Sequence, residues 1–395
     1  MEVPEIKSYS KVIPSHKVAK GIPLNFTKNQ LLVAKQFDMM VFTDTSWEFI
    51  NQRPRYLVEQ MAKYQQILFV EEPIIDQSVL KEHYRVVKLI DNLVVIKPIL
   101  AHADDLVKII RLVAKNISVP VGWFYSASYY PLIKKIQFEK IIYDIENELF
   151  FSSGLMKKNE KKLIKISDIV ITGSKAEFEE KSKIHNNVHW VPSPVDDIFC
   201  IHGKAKTPPE NFINSERPII GYCGIIDSRI DFEFIEKAAL NMPFATFVLI
   251  GPILNADRKK IPEHSNICYL NPSKYNAIPS YLKAIDVAMV PIAINENSRF
   301  VSSSIVLKYM AANKPIISTP VYDIARDFRY CIDIVNSVDE FCLAASRKFI
   351  PNLNETEERW LCYSKILNRN SWNDTAFKIQ QLINKDQKVS TYFNV

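Results

Sequence analysis

Short apolar runs recur along the chain, each closed by glycine, proline or small polar residues. In the first half these are Asp38–Thr43, Ile67–Val70, Val119–Tyr125, Lys140–Tyr143, Ile169–Thr172 and His189–Val191. In the second half they are the run from Pro218 to Gly224, then Ala245–Ile250 ending at Gly251-Pro252, and Val287–Pro291. Their length and closure predict buried strands. Between them the spacing changes to that of helices. Leu57, Met61 and Tyr64 follow Pro54, which suits a first helical turn because its missing N–H costs nothing there. Leu106, Ile109, Ile110 and Val113 mark an amphipathic face within Asp104–Lys115, and Ser174 is a good N-cap for a helix over Lys175–Ser182. Ile305–Ala312 is a further helix, and Tyr84–Lys97 reads as two extended segments around a turn at Asp91-Asn92. Strand–helix alternation predicts parallel sheets, whose ligands bind beyond the carboxyl ends of the strands.

The alternation breaks between Val195 and about Pro218, where Pro208, Pro209, Asn211 and Asn214 give a loop composition. A chain of 395 residues exceeds what one core usually holds. The expectation is an α/β protein with one domain over 37–200, a linker, and a second domain over 218–372. Residues 1–36, with Pro4, Pro14 and Pro23 among lysines and serines, read as an extension, and 373–395 as a terminal helix and tail. Residues 355–385 are helical in pattern, with Trp360, Leu361, Ile366 and Leu367.

Composition narrows the function classes. The apolar fraction is 47% and the charged fraction 24%, ordinary for a globular chain. A net charge of +6 is mildly basic and speaks against a nucleic-acid partner. Lysine clusters at Lys157-Lys158 and Lys161-Lys162 fit solvated helix faces, and also an attraction to anionic membrane or a phosphate-bearing ligand. Six cysteines lie without CxxC spacing, which argues against a zinc site or disulfide scaffold and for a reducing compartment. Histidine pairs with metal-ligand spacing, nucleophile elbows and P-loops are missing from the sequence. Neither a signal-peptide core nor an apolar run of roughly 20 residues occurs, so the expected location is cytoplasmic.

The candidate chemistry sits near the expected strand ends. Gly221, Gly224 and Gly251 mark places where the backbone turns tightly or approaches a ligand. Ser302, Ser303 and Ser304 precede a helix, whose N–H groups with serine hydroxyls suit a diphosphate; an ordinary N-cap is the alternative. Asp144, Glu146 and Glu148 are expected just beyond a strand end, suited to general-base work or to holding sugar hydroxyls; Asp144 capping a helix, with both glutamates exposed, is the equal alternative. Trp47, Arg53 and Arg55 are expected to line the first loop, where an acceptor or phosphate would bind.

A resemblance extends over nearly the whole chain, from about Phe37 to about Trp372. Asp38-Met-Met-Val-Phe-Thr-Asp-Thr-Ser-Trp-Glu with Gln52-Arg53-Pro54-Arg55, then Leu68-Phe-Val-Glu-Glu-Pro73, Tyr143-Asp-Ile-Glu-Asn-Glu148, Ser167-Asp-Ile-Val-Ile-Thr-Gly-Ser174 and Val191-Pro-Ser-Pro-Val-Asp196 recur in order. The chain resembles the GT-B glycosyltransferases, in the large retaining family of polysaccharide and teichuronic-acid type. That resemblance implies two Rossmann-like domains facing across a cleft, with the terminal helix crossing back to the first. It implies transfer of a sugar from a nucleotide-diphosphate sugar, the co-substrate, to a cell-surface glycan or lipid-linked acceptor, with no metal required. It places Gly224, Arg229, Gly251, Arg299 and Ser302–Ser304 near the donor phosphates, and Tyr275 beside the nucleobase. Peripheral membrane contact and a partner transferase are further implied possibilities. The chain departs from the family at Lys308, where a glutamate usually holds the donor ribose; an ammonium has donors and no acceptor. Ile305 stands for the family's lysine, Ser303 for its proline and Asn313 for its glycine. Two other readings stay open: a non-catalytic GT-B-like subunit that binds a glycan or pairs with an active transferase, and a sugar-phosphate epimerase of the same fold.

Overall fold

The computed structural model describes residues 35–47, 53–78, 82–116, 118–145, 154–200, 212, 217–254, 256–272, 275–296, 298–350, 352–368 and 371–385. They form two sheets. The first joins β1 (Met39–Phe42), β2 (Ile67–Val70), β3 (Ile74–Ile75), β4 (His83–Ile90), β5 (Leu93–Leu100), β6 (Ser118–Phe124), β7 (Gln137–Ile145), β8 (Ile169–Thr172) and β9 (Val188–Trp190). Its strand order is β3-β5-β2-β1-β6-β7-β8-β9, parallel throughout, with β4 added antiparallel to β5. The second joins β10 (Ile219–Cys223), β11 (Thr246–Ile250), β12 (Ile267–Leu270), β13 (Val287–Val290), β14 (Ile316–Ser318) and β15 (Asp333–Ile334) in the order β12-β11-β10-β13-β14-β15, all parallel.

Helices cover both faces of each sheet, which is why the central strands are apolar without alternation. In β1, Met40 and Phe42 point into one core with Leu106, Ile109 and Ile110 of α2 (Leu106–Val113) and Leu163 of α4 (Gly154–Ile166). Met39 and Val41 point into the other, with Leu57 and Val58 of α1 (Arg53–Met61). α3 (Tyr130–Ile133) lies beside α4, and α5 (Lys175–Lys181) follows β8. The second sheet is packed by α6 (Phe232–Asn241), α7 (Ile278–Ala284), α8 (Ser304–Ala311), α9 (Tyr322–Phe328), α10 (Val338–Lys348) and α11 (Leu353–Leu367) around one core. α12 (Trp372–Lys385) returns to the first sheet, where Ala376, Ile379 and Ile383 share the core with Leu57 and Trp372 stacks on Tyr56 at 4.7 Å. Among the described residues no helix is long and apolar enough to cross a membrane.

One difference from the sequence reading has a local cause. β7 runs on through Asp144 to Ile145, because its ladder with β8 continues to Asp144↔Ile171 and Ile145↔Thr172. Asp144 is therefore inside a strand rather than beyond its end. After α8, Asn313 has φ 52°, a left-handed conformation that asparagine tolerates. Its side chain also has work there, since Arg359 Nε donates to Asn313 Oδ1 at 3.2 Å and Arg359 Nη2 to Asn313 O at 3.3 Å.

Candidate functional site

The carboxyl ends of the two sheets meet across the domain boundary. α5 starts just after β8 and α9 just after β14, and these two helices touch. Asp323 of α9 accepts the N–H groups of Lys175 at 2.8 Å and Ala176 at 3.4 Å, while Ser174 Oγ accepts that of Glu177 at 3.0 Å. One domain thus caps a helix of the other, and the carboxylate meets the positive end of the helix dipole. Burial nevertheless raises the Asp323 carboxyl above its ordinary range. Arg326 bridges Asp323 at 2.9 Å and Glu179 at 3.2 Å, and Arg299 reaches Glu180 at 3.2 Å. Both guanidinium groups lie over the Tyr322 ring, at 4.9 Å for Arg299 and 5.2 Å for Arg326. Arg326→Ala should loosen this clamp, and small-angle scattering should show a larger radius of gyration than for the intact chain. An unchanged profile would mean that the clamp does not set the domain arrangement.

On the second domain, Lys308 and Tyr275 gather around a residue from the linker side, Phe199. Lys308 Nζ lies 5.5 Å over the Phe199 ring, and Tyr275 meets it edge-on at 5.6 Å. Asp196 belongs to the same cluster: Tyr56 Oη donates to it, and it caps the turn at Ile198. Burial raises the Asp196 carboxyl, Asp197 adds to the rise, and the Lys308 charge opposes it. Tyr309, next to Lys308, accepts the Cys223 N–H at 2.7 Å, tying α8 to the end of β10. Burial pushes the Cys223 thiol up to about 12, so it stays protonated near neutral pH. α8 begins at Ser304; Ser303 occupies the N-cap position without a side-chain capping bond, and Ser302 Oγ accepts the Ser304 N–H at 3.3 Å.

The other residues expected near a donor are less available. Arg229 grips Asp227, with Nη2 at 2.6 Å and Nε at 3.0 Å from the carboxylate, and is about a third exposed. Gly224 and Gly251 face each other: Gly251 has φ +149°, and a Cβ there would lie 1.9 Å from Gly224 O. Arg299 points to the first domain rather than to Ser302–Ser304.

In the first domain, Asp144 and Arg53 form a buried pair, with Nε 3.2 and 3.1 Å from the two carboxylate oxygens. Side-chain exposure is 1% for Arg53 and 0% for Asp144. Arg53 Nη1 donates to Val191 O at 2.8 Å and Ser193 Oγ at 3.2 Å. Arg53 is the first residue of α1 rather than part of the loop. Glu146 and Glu148 lie outside the described residues. Trp47 is buried against Phe69, with the Arg55 guanidinium 5.2 Å over its ring and Arg55 Nη1 donating to Trp47 O.

The strand order also shows what the sequence reading passed over. β1 leads outward to β2, and the chain later crosses back to put β6 on the other side of β1, so the crevice lies between these two strands. Asp44 follows β1 there. It keeps surface access, yet the recess strips much of its hydration and pushes its carboxyl up. The Glu72 carboxyl, at the end of β2, is raised by burial and then by Asp44. Tyr129 Oη donates to Thr43 O at 2.8 Å. A cavity of about 240 Å³ adjoins them, lined by Glu72, Ile75, Leu106, Ser128, Tyr129 and Leu132 among others. The Asp44-Thr45-Ser46 polar run after a strand was the signal in the sequence.

No protein-family profile matches the chain. A curated relative, TuaH of Bacillus subtilis strain 168, provisionally assigned as a teichuronic acid biosynthesis glycosyltransferase, is 24% identical over 219 residues, 50% of this chain and 54% of the relative. The chain therefore spans about half the length of that relative in the match. Among solved structures, the sucrose-phosphate synthase of Thermosynechococcus elongatus superposes with a TM-score of 0.63 at 13% identity, covering 88% of this chain and 98% of that one. The UDP-forming α,α-trehalose-phosphate synthase of Burkholderia xenovorans gives 0.63 at 11% identity, covering 88% and 98%. An Escherichia coli structure described as trehalose-6-phosphate bound with UDP-2-fluoro glucose gives 0.61 at 11% identity, covering 88% and 99%. These likenesses show the fold: two Rossmann-like domains in the GT-B arrangement.

Proposed function

We propose that this protein is a glycosyltransferase moving a hexosyl group, with retention, from a nucleotide-diphosphate sugar to a cell-surface glycan or lipid-linked acceptor. The observation that carries the reading is the serine-rich amino end of α8, where Ser303 makes no side-chain cap, beside the Lys308–Tyr275–Phe199 cluster at the carboxyl edge of the second sheet. A helix amino end and a nearby guanidinium or ammonium can take up the charge that develops on a leaving diphosphate. Arg229 would do so by leaving Asp227, and no step of this reading needs a metal. The acceptor would enter at the β1–β6 crevice. There the raised carboxyls of Asp44 and Glu72 are suited to binding hydroxyls and, where ionised, to drawing off a proton.

Calorimetry with uridine, guanosine and cytidine diphosphates tests the donor side. Arg229→Ala should weaken the favoured nucleotide by about 1.5–3 kcal/mol, the scale of a charged hydrogen bond. Lys308→Glu should weaken it too, because a glutamate there would stand near Asp196 and repel it. If Lys308→Glu instead binds more tightly, Lys308 is a loss in the donor site and not a working replacement. Lys308 engaged with Phe199 and Asp196 also favours one rival, a non-catalytic GT-B-like subunit. Should neither the wild type nor the variants bind any nucleotide or turn over any nucleotide sugar, that rival takes the place of the transferase.

A further inference from the structure

α4 carries five lysines, Lys157, Lys158, Lys161, Lys162 and Lys165, and all are exposed. The same helix buries Asn159, Leu163 and Ile164 against the first domain. At 3.6 residues per turn Lys158, Lys161, Lys162 and Lys165 fall on the side opposite these buried positions, and Lys157 lies at the border of that side, next to Ile164. Among the described residues none of the five forms an ion pair; Lys162 rests 5.5 Å over the Tyr130 ring. The single acid of the helix, Glu160, is turned inward, 3.6 Å from Lys181 Nζ and accepting from Tyr143 Oη at 3.3 Å. The outward face thus presents four positive charges, with a fifth at its border, in a chain whose net charge is only +6.

Two aliphatic side chains border that face. Leu155 is 66% exposed and Ile166 is 41% exposed. They are eleven residues apart, which returns a helix to nearly the same angle, so both lie along one flank. Apolar flank and cationic face together match an interfacial helix lying flat on lipid. A nucleic acid fits less well, since α4 has no arginine fork and no aromatic ring for stacking. α4 follows β7, so its first residues lie toward the carboxyl edge of the sheet, where the crevice opens.

We propose that α4 is a docking surface for anionic lipid bilayer, holding the first domain against the membrane through its lysines and through Leu155 and Ile166. This rests on the surface alone and does not depend on the transferase reading. Co-sedimentation of the full chain with vesicles tests it. The protein should partition onto phosphatidylglycerol-containing vesicles at low salt, and release in high salt or on pure phosphatidylcholine. Each lysine removed should lower partition roughly fivefold, equivalent to about 1 kcal/mol. The variant Lys157→Gln/Lys158→Gln/Lys161→Gln/Lys165→Gln should therefore fall at least about a hundredfold, with its melting curve unchanged. Leu155→Ser/Ile166→Ser should lose severalfold in partition while keeping the salt dependence. Equal partition of wild type onto neutral and anionic vesicles, no partition at low salt, or a quadruple variant that binds like the wild type would each overturn the proposal.

Discussion

Arg53→Met is expected to destabilise the first domain by about 3–5 kcal/mol, the cost of leaving one partner of a buried ion pair uncompensated. Asp144 would lose both hydrogen bonds from Nε in a setting with no solvent access. Val191 O and Ser193 Oγ would lose their donor as well. At about 2–4 °C per kcal/mol for a domain of this size, the first thermal transition should fall by roughly 10 °C. The double variant Arg53→Met/Asp144→Leu should recover most of this, because an apolar pair often replaces a buried ion pair at little cost. Recovery should be incomplete, since the bonds to Val191 and Ser193 stay lost. A shift of only a degree or two for Arg53→Met alone would mean that water reaches the pair.

That pair also shows where the sequence misleads. Asp144 in a Tyr-Asp-Ile-Glu-Asn-Glu run after an apolar strand looks like an open carboxylate at a strand end. Its true partner is ninety-one positions earlier, and nothing in local pattern reveals it. The same limit applies to Arg299 and Asp323. Each sits on a loop or helix start facing the cleft, where an anion or a ligand is a natural guess. Each instead meets the other domain, because the relative placement of two domains is not written in any short stretch. Asp44 was passed over for the opposite reason: a polar run after a strand is ordinary, and only the strand order makes it the mouth of a crevice.

What local pattern does carry is the alternation itself. β1, β2, β8 and β11 lie where apolar runs bounded by turn residues place them, as does the turn at Asp91-Asn92. β12, in which only Ile267 is fully buried, and the two-residue strands β3 and β15 leave too weak a pattern to find. The Asn313 position was legible as a departure from the family, but its explanation needed Arg359 from a helix far along the chain.

Gly251→Ala is expected to cost at least about 4 kcal/mol, in the range that singles out a hard structural conflict. The new Cβ would lie 1.9 Å from Gly224 O and 2.9 Å from Gly224 C, and neither atom can rotate away because both are backbone. The φ of +149° adds strain for any residue with a Cβ. The ends of β10 and β11 would have to separate, and they are held by the bond from Gly224 N–H to Ile250 O at 2.9 Å. Gly224→Ala is a milder change: its Cβ meets Tyr222 Oη at 2.7 Å, the tip of a side chain, and the cost should be about 1–2 kcal/mol. This contrast separates two uses of glycine at the strand ends. If Gly224 serves only the fold, its alanine variant should bind nucleoside diphosphate as the wild type does, at slightly lower melting temperature. If the phosphates also approach the backbone there, affinity should fall by more than tenfold while the fold persists. A Gly251→Ala protein that melts within a few degrees of wild type would show that the two strand ends part easily, and the close backbone contact would lose its explanatory weight.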